Sequence, residues 1–99
     1  MESKLSAKYN EINQVIHNPS RLLILSILEL LDYADFKYLL NETGFTKGNL
    51  SSHMTKLETS GYVSVKKEFK NKVPVTTYKL TKDGLKELVK YRALMRMLI

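Results

Sequence analysis

The chain has no cysteine and no tryptophan, and only two prolines and four glycines among its 99 residues. Without cysteine, disulfides, thiolate metal sites and cysteine nucleophiles are excluded. Long apolar runs are missing too. The longest, Leu22 to Leu31, is ten residues interrupted by Ser26 and Glu29, whereas a bilayer-spanning helix needs about 20. The N-terminal MESKLSAKYNE carries no apolar stretch behind its lysine, so no secretory signal is expected. No Ser/Gly/Pro-rich linker, low-complexity tract or long internal repeat divides the chain, which predicts a single domain over 1–99, soluble and cytoplasmic.

What is present is a core-forming share of 43% hydrophobic residues and an excess of positive charge, 16 Lys+Arg against 10 Asp+Glu. That excess is unevenly placed. Residues 1–45 hold four basic and six acidic residues, a net −2, while residues 46–99 hold twelve and four, a net +8. A split of this kind points to a polyanionic partner on one side of the fold, although a solvated helix face would carry the same charge.

Hydrophobic spacing orders the elements. Leu5, Tyr9, Ile12 and Ile16 recur every three or four residues, which predicts an amphipathic helix over 1–18. It should stop at Asn18-Pro19, since the residue before proline is pushed out of the helical region; the same pair supplies N-cap and first position of a second helix. That helix, Pro19 to about Leu31, is apolar around most of its circumference and is expected to be central and buried. Asp35 caps a short third helix turning Phe36, Leu39 and Leu40 inward, and Gly44 ends it in a left-handed conformation. Thr46 then caps a fourth helix, Lys47 to Thr59 or Ser60, with Phe45 and Leu50 placed as a hydrophobic staple and Leu50, Met54 and Leu57 buried.

After Gly61 the pattern changes to alternation. Tyr62–Phe69 and Val73–Leu80 flank a polar tip, Lys70-Asn71-Lys72, which reads as a β-hairpin. Pro74 cannot donate to a ladder, so its nitrogen must face away from the partner strand or lie outside the pairing. Thr81 caps a last helix running to the C-terminus. The expected fold is therefore mainly α with a small β-hairpin: two short helices meeting across Gly44-Phe45-Thr46, the mark of a helix-turn-helix, followed by a wing.

At these residues the sequence resembles a known family. TKGNLSSHMTKLETSGYVSVKKEF, followed by PVTTYKLTKDG, is similar to the winged helix-turn-helix transcriptional regulators of the MarR/ArsR type, above all their small stand-alone members, over roughly residues 19–90. The resemblance implies a DNA-binding transcription regulator specific for a sequence in double-stranded DNA. It further implies a homodimer with the recognition helix in the major groove and the wing on the minor groove or backbone. Relatives that sense metals through cysteines are no guide for a chain without cysteine. The resemblance also implies that a small-molecule effector is common in MarR-like relatives, but no residues here identify a pocket for one.

The residues support that reading on their own terms. Opposite the buried stripe of the recognition helix stand Lys47, Asn49, Ser51, Ser52, Thr55 and Lys56, short polar groups of the kind that reach base edges. Asn49 suits the N6 and N7 of adenine, and the helix start at Thr46 and Lys47 suits a phosphate. Gly48 leaves room for a phosphate or a neighbouring helix, and His53 sits at the edge of the stripe. On the wing, Lys66, Lys67, Lys70, Asn71 and Lys72 are the candidates, with Arg21, Thr76 and Thr77 as further phosphate contacts. Lysines protecting a solvated edge strand are the plainer alternative for the wing.

The winged core needs only residues 19–80. The flanking helices, 1–18 and 81–99, are expected to dimerise through Leu5, Tyr9, Ile12, Ile16, Leu88, Tyr91, Leu94, Met95 and Leu98, because leftover apolar surface on a small domain usually marks an interface. No cofactor and no metal site is expected. His17 and His53 have no carboxylate at ligand spacing, and neither a phosphate loop nor a HExxH or GxGxxG pattern occurs. An enzyme is not expected. The expected regulator would be nucleoid-associated within the cytoplasm; a winged-helix protein-interaction module, or nonspecific chromatin-like DNA binding, are the competing functions.

Overall fold

A computed structural model describes residues 4–99, in the order α1 (Lys4–Asn10), α2 (Pro19–Leu30), β1 (Ala34–Asp35), α3 (Phe36–Thr43), α4 (Lys47–Thr59), β2 (Val63–Lys70), β3 (Val73–Leu80) and α5 (Lys82–Leu98). Each of the last four helices starts on the cap expected of it. Asn18 accepts from the Arg21 N–H at 3.0 Å, Asp35 from Tyr38 at 2.7 Å, Thr46 from Asn49 at 3.1 Å and Thr81 from Gly84 at 2.9 Å. Such caps satisfy amide donors that a helix start otherwise leaves open. Gly44, at φ 72°, ends α3 in the left-handed region.

The strands form an antiparallel sheet in the order β1-β3-β2. Tyr78 pairs with Val65 on one side and Ala34 on the other, so one face of the sheet, carrying buried Val63, Ala34 and Tyr78, closes over the helices. Lys70 pairs directly with Val73, leaving a two-residue turn in which Asn71 (φ 53°) and Lys72 (φ 66°) are both left-handed, the geometry that matches the twist of a tight hairpin. The closing pair of such a turn exchanges hydrogen bonds, so the next pair, Phe69 with Pro74, does not. Pro74 therefore turns its nitrogen away from β2, as its chemistry requires.

The core is a single cluster. Ile24, Leu25 and Leu28 of α2, Leu39 of α3, Leu50, Met54 and Leu57 of α4, and Leu88, Tyr91 and Leu94 of α5 meet at its centre. Two expectations fail here. The first helix does not run to residue 18: α1 ends at Asn10, because the Asn13 side chain accepts from the Val15 and Ile16 amides at 3.0 and 3.1 Å and so competes with a continuous helix. Ile12 and Ile16 still reach the core, but from turns. Nor is α2 buried all round, since Leu30 is 84% and Leu23 42% exposed.

The turn segment 11–18 is tied to three separate elements. Asn13 Nδ2 donates to the Tyr62 hydroxyl at 2.8 Å, the Val15 carbonyl accepts from Arg21 Nε at 2.6 Å, and His17 Nδ1 lies 2.8 Å from the Tyr91 hydroxyl. Helices α2 and α5 are joined by Arg92, whose Nη1 lies 2.7 and 2.9 Å from the two Glu29 carboxylate oxygens while Nη2 donates to Ser26 Oγ at 3.3 Å.

Candidate nucleic-acid interface

Burying Leu50, Met54 and Leu57 fixes what the rest of α4 presents. Thr46, Lys47, Gly48, Asn49, Ser51, Ser52, Thr55 and Lys56 are all exposed, and the only carboxylate of the helix, Glu58, lies near its end. Gly48 has nothing within 4 Å of where a Cβ would stand, so no neighbouring helix of this chain requires its small size. Gly48→Ala is accordingly expected to stabilise the fold, by about 1 kcal/mol at most, while weakening duplex binding. Denaturant melts and duplex titrations of the same preparation check both signs.

His53 behaves differently from its neighbours. It is half-buried, its Nδ1 lies 3.3 Å from Arg21 Nη1, and its ring centroid is 6.2 Å from that of Phe45. Arg21 is thus held between the Val15 carbonyl, which accepts from Nε, and His53, which meets Nη1. Desolvation, helped by the Arg21 charge, lowers the His53 pKa below its ordinary 6.5. An acceptor Nδ1 facing a guanidinium requires the neutral ring with its proton on Nε2.

The sign of the pH effect follows. A base whose folded pKa lies below its unfolded one stabilises the fold above the unfolded value, and loses that contribution as pH falls through the folded value. Stability should decline from about pH 6.5 downward, and His53→Asn, whose Oδ1 can still accept from Arg21, should show a shallower decline. Melting midpoints at pH 7.5 and 5.5 for both proteins decide it.

The hairpin separates its lysines. By the alternation of β2, Lys66 and Lys70 share one face with Glu68, whose carboxylate lies 3.7 and 3.9 Å from their ammonium groups. Lys67 lies on the other face and Lys72 in the turn, and neither has a carboxylate within 4 Å among the described residues. Asn71 is exposed beside Lys72. Thr76 and Thr77 are half-buried on β3, paired with Lys67 and Lys66.

The flanking residues divide. Ile12, Ile16, Leu88, Tyr91 and Leu94 lie in the chain's own core and are no longer free to form an interface. Leu5 and Tyr9 are exposed, and Met95 and Leu98 are partly buried against the core. Spacing alone had not separated the two faces of α5: Leu85, Val89 and Met97 point outward, as does Ile99 beyond its end. Sequence reasoning also missed the Arg92–Glu29 pair and Gly84, whose closeness to Tyr62 follows from tertiary packing and has no local signal.

Among the described residues no cluster of His, Asp or Glu has the makings of a metal site, and no helix is long and apolar enough to cross a membrane.

Comparison with known proteins agrees with this geometry. Residues 20–99 match the model of the winged helix DNA-binding domain. An uncharacterized protein of Methanocaldococcus jannaschii is 35% identical over 71 residues, covering 72% of this chain and 77% of that one. A transcriptional regulator homologue from Pyrococcus horikoshii superimposes with a TM-score of 0.86 at 28% identity, covering 93% of each chain. A PadR family transcriptional regulator from Eggerthella lenta shares the fold, with a TM-score of 0.66 at 22% identity over 77% of this chain and 73% of that one. The chain belongs to the winged helix DNA-binding domain family, and solved proteins that share its fold include transcriptional regulators of the ArsR and PadR families.

Proposed function

We propose that this protein is a cytoplasmic, sequence-specific duplex DNA-binding regulator that acts as a homodimer and represses by occluding its site. The exposed polar face of α4, set beside a free basic hairpin, carries the reading. Helix α4 enters the major groove, where Asn49, Ser51, Ser52 and Thr55 reach base edges. Lys47 and Lys56 lie along the backbone, and the wing follows the adjacent minor groove.

The dimer is supported by apolar surface that one chain leaves uncovered. Leu5 and Tyr9 on α1, Leu23 and Leu30 on α2, and Leu85, Val89 and Met97 on α5 are exposed, and a groove of about 620 Å³ runs between α2 and α5 past Leu22, Met95 and Ile99. A two-fold pair presents two recognition helices about 34 Å apart, one turn of duplex.

Selection of binding sites from random duplex, followed by titration of the selected and a scrambled site at several salt concentrations, tests the reading. The expected result is a preference for a palindromic site with a steep negative salt slope. Asn49→Ala should cost about 1–3 kcal/mol on the selected site and little on the scrambled one. Equal affinity for every duplex would mean nonspecific binding, and no binding at low salt would leave a protein-interaction module. Light scattering that gives one chain's mass at high micromolar concentration would remove the dimer.

A further inference from the structure

The wing carries an aromatic side chain that the core does not use. Phe69 is 76% exposed. Alternation puts it on the same face as Val63 and Val65, which pack into the core, but the ribbon continues past the core's edge. Phe69 stands four residues beyond Val65, about 13 Å further out. Its cross-strand partner is Pro74, also exposed, and because that pair exchanges no hydrogen bonds its side chains approach closely. Lys67 precedes the pair on the same face, and Lys70, Asn71 and Lys72 close the hairpin immediately beyond it.

Two apolar rings at the end of a projecting arm, flanked by Lys67 and Lys72, fit an occupant that is anionic at its rim and apolar within. The minor groove of a duplex is such a surface: phosphates line its walls, and apolar side chains are known to enter between its base steps and bend the helix. We propose that Phe69, backed by Pro74, is an apolar wedge that the wing lysines carry into the minor groove, where it opens a base step and bends the DNA. The inference rests on the DNA-binding reading above and deepens it. It adds a source of selectivity at positions that α4 never touches, since flexible pyrimidine–purine steps open more readily than stiff A-tracts.

The test uses the full chain and its selected duplex, end-labelled for energy transfer and carrying 2-aminopurine at the step beneath the wing. The wild type should raise 2-aminopurine fluorescence and shorten the end-to-end distance. Phe69→Ala should keep the circular dichroism and the salt slope of the wild type but bind about tenfold more weakly, with the bend lost; Phe69→Leu should retain part of both. Phe69→Lys is the decisive variant. A purely electrostatic wing predicts tighter binding and a salt slope steeper by about one, whereas a wedge predicts weaker binding despite the added charge.

Wild-type bending by Phe69→Ala, or tighter binding by Phe69→Lys, would overturn the proposal. So would a Phe69→Ala chain that changes its mass in solution while bending DNA normally, because the side chain would then contact a second copy. A wild type that binds no duplex at all would instead overturn the DNA-binding reading itself.

Discussion

Gly84→Ala should lower the melting midpoint by roughly 4–24 °C, the largest loss of stability expected from any single methyl group added to this chain. A Cβ at Gly84 meets the Tyr62 backbone carbonyl and comes within 2.8 Å of Leu80 Cδ1. The Leu80 methyl can rotate away, but the carbonyl cannot, because it already accepts from the Thr81 N–H at 3.1 Å. Thr81 holds the same corner through its hydroxyl, which donates to the Gly61 carbonyl at 2.7 Å and accepts from Gly84 N–H. The first turn of α5 must therefore lift off the strand ends, which loosens Leu88 and Tyr91 from the core they help to fill. Overpacking of this kind costs about 1–3 kcal/mol, and each kcal/mol moves the midpoint of a domain of this size by roughly 4–8 °C. Thermal and denaturant melts measure it, and a shift under 2 °C would mean that the corner yields freely. Gly48, with open space around it, sets the opposite control.

The second large effect concerns DNA affinity. Lys67→Ala with Lys72→Ala should weaken binding about sixtyfold at 0.1 M salt, on selected and scrambled duplex alike. The magnitude follows from counterion release: each lost phosphate contact reduces the log–log salt slope by about 0.9, or roughly eightfold at 0.1 M. These two lysines are chosen because no carboxylate competes for them, whereas Lys66 and Lys70 share Glu68. Glu68→Gln should accordingly act in the reverse direction, tightening all duplexes. Titrations at four or more salt concentrations measure the slopes, and an unchanged slope in the double variant would remove the wing from the backbone.

Much of this was legible in the sequence, and the reasons are local. Asn18, Asp35, Thr46 and Thr81 are short polar residues before helix-forming stretches, and Gly44 takes the left-handed conformation expected of a stop. The hairpin's alternation gave both strands to within a residue. What periodicity does not reveal is which of two apolar faces finds a partner. Leu5, Tyr9, Ile12 and Ile16 form one stripe on a helical wheel, yet the chain breaks between the second and third, burying the isoleucines and leaving the other two outside. On α5, Leu88 and Val89 are adjacent and both apolar, but only the first is buried. In the candidate site, residue type and helical face sufficed to locate the polar surface of α4, while the engagement of Arg21 by Val15 and His53 depends on residues 32 positions apart meeting in space.

The turn segment 11–18 has a consequence for the entropy of recognition. Its hydrogen bonds reach the foot of the hairpin at Tyr62, the flank of α4 through Arg21 and His53, and α5 at Tyr91. A change in the angle between helix and wing would have to break contacts at both ends of this short stretch. On the function proposed above, the two parts that meet the duplex are thus tied together before it arrives, and much of their conformational freedom is lost on folding rather than on binding. Affinity in such an arrangement is expected to rest on the complementarity of a preorganised surface, with adjustment left to the DNA.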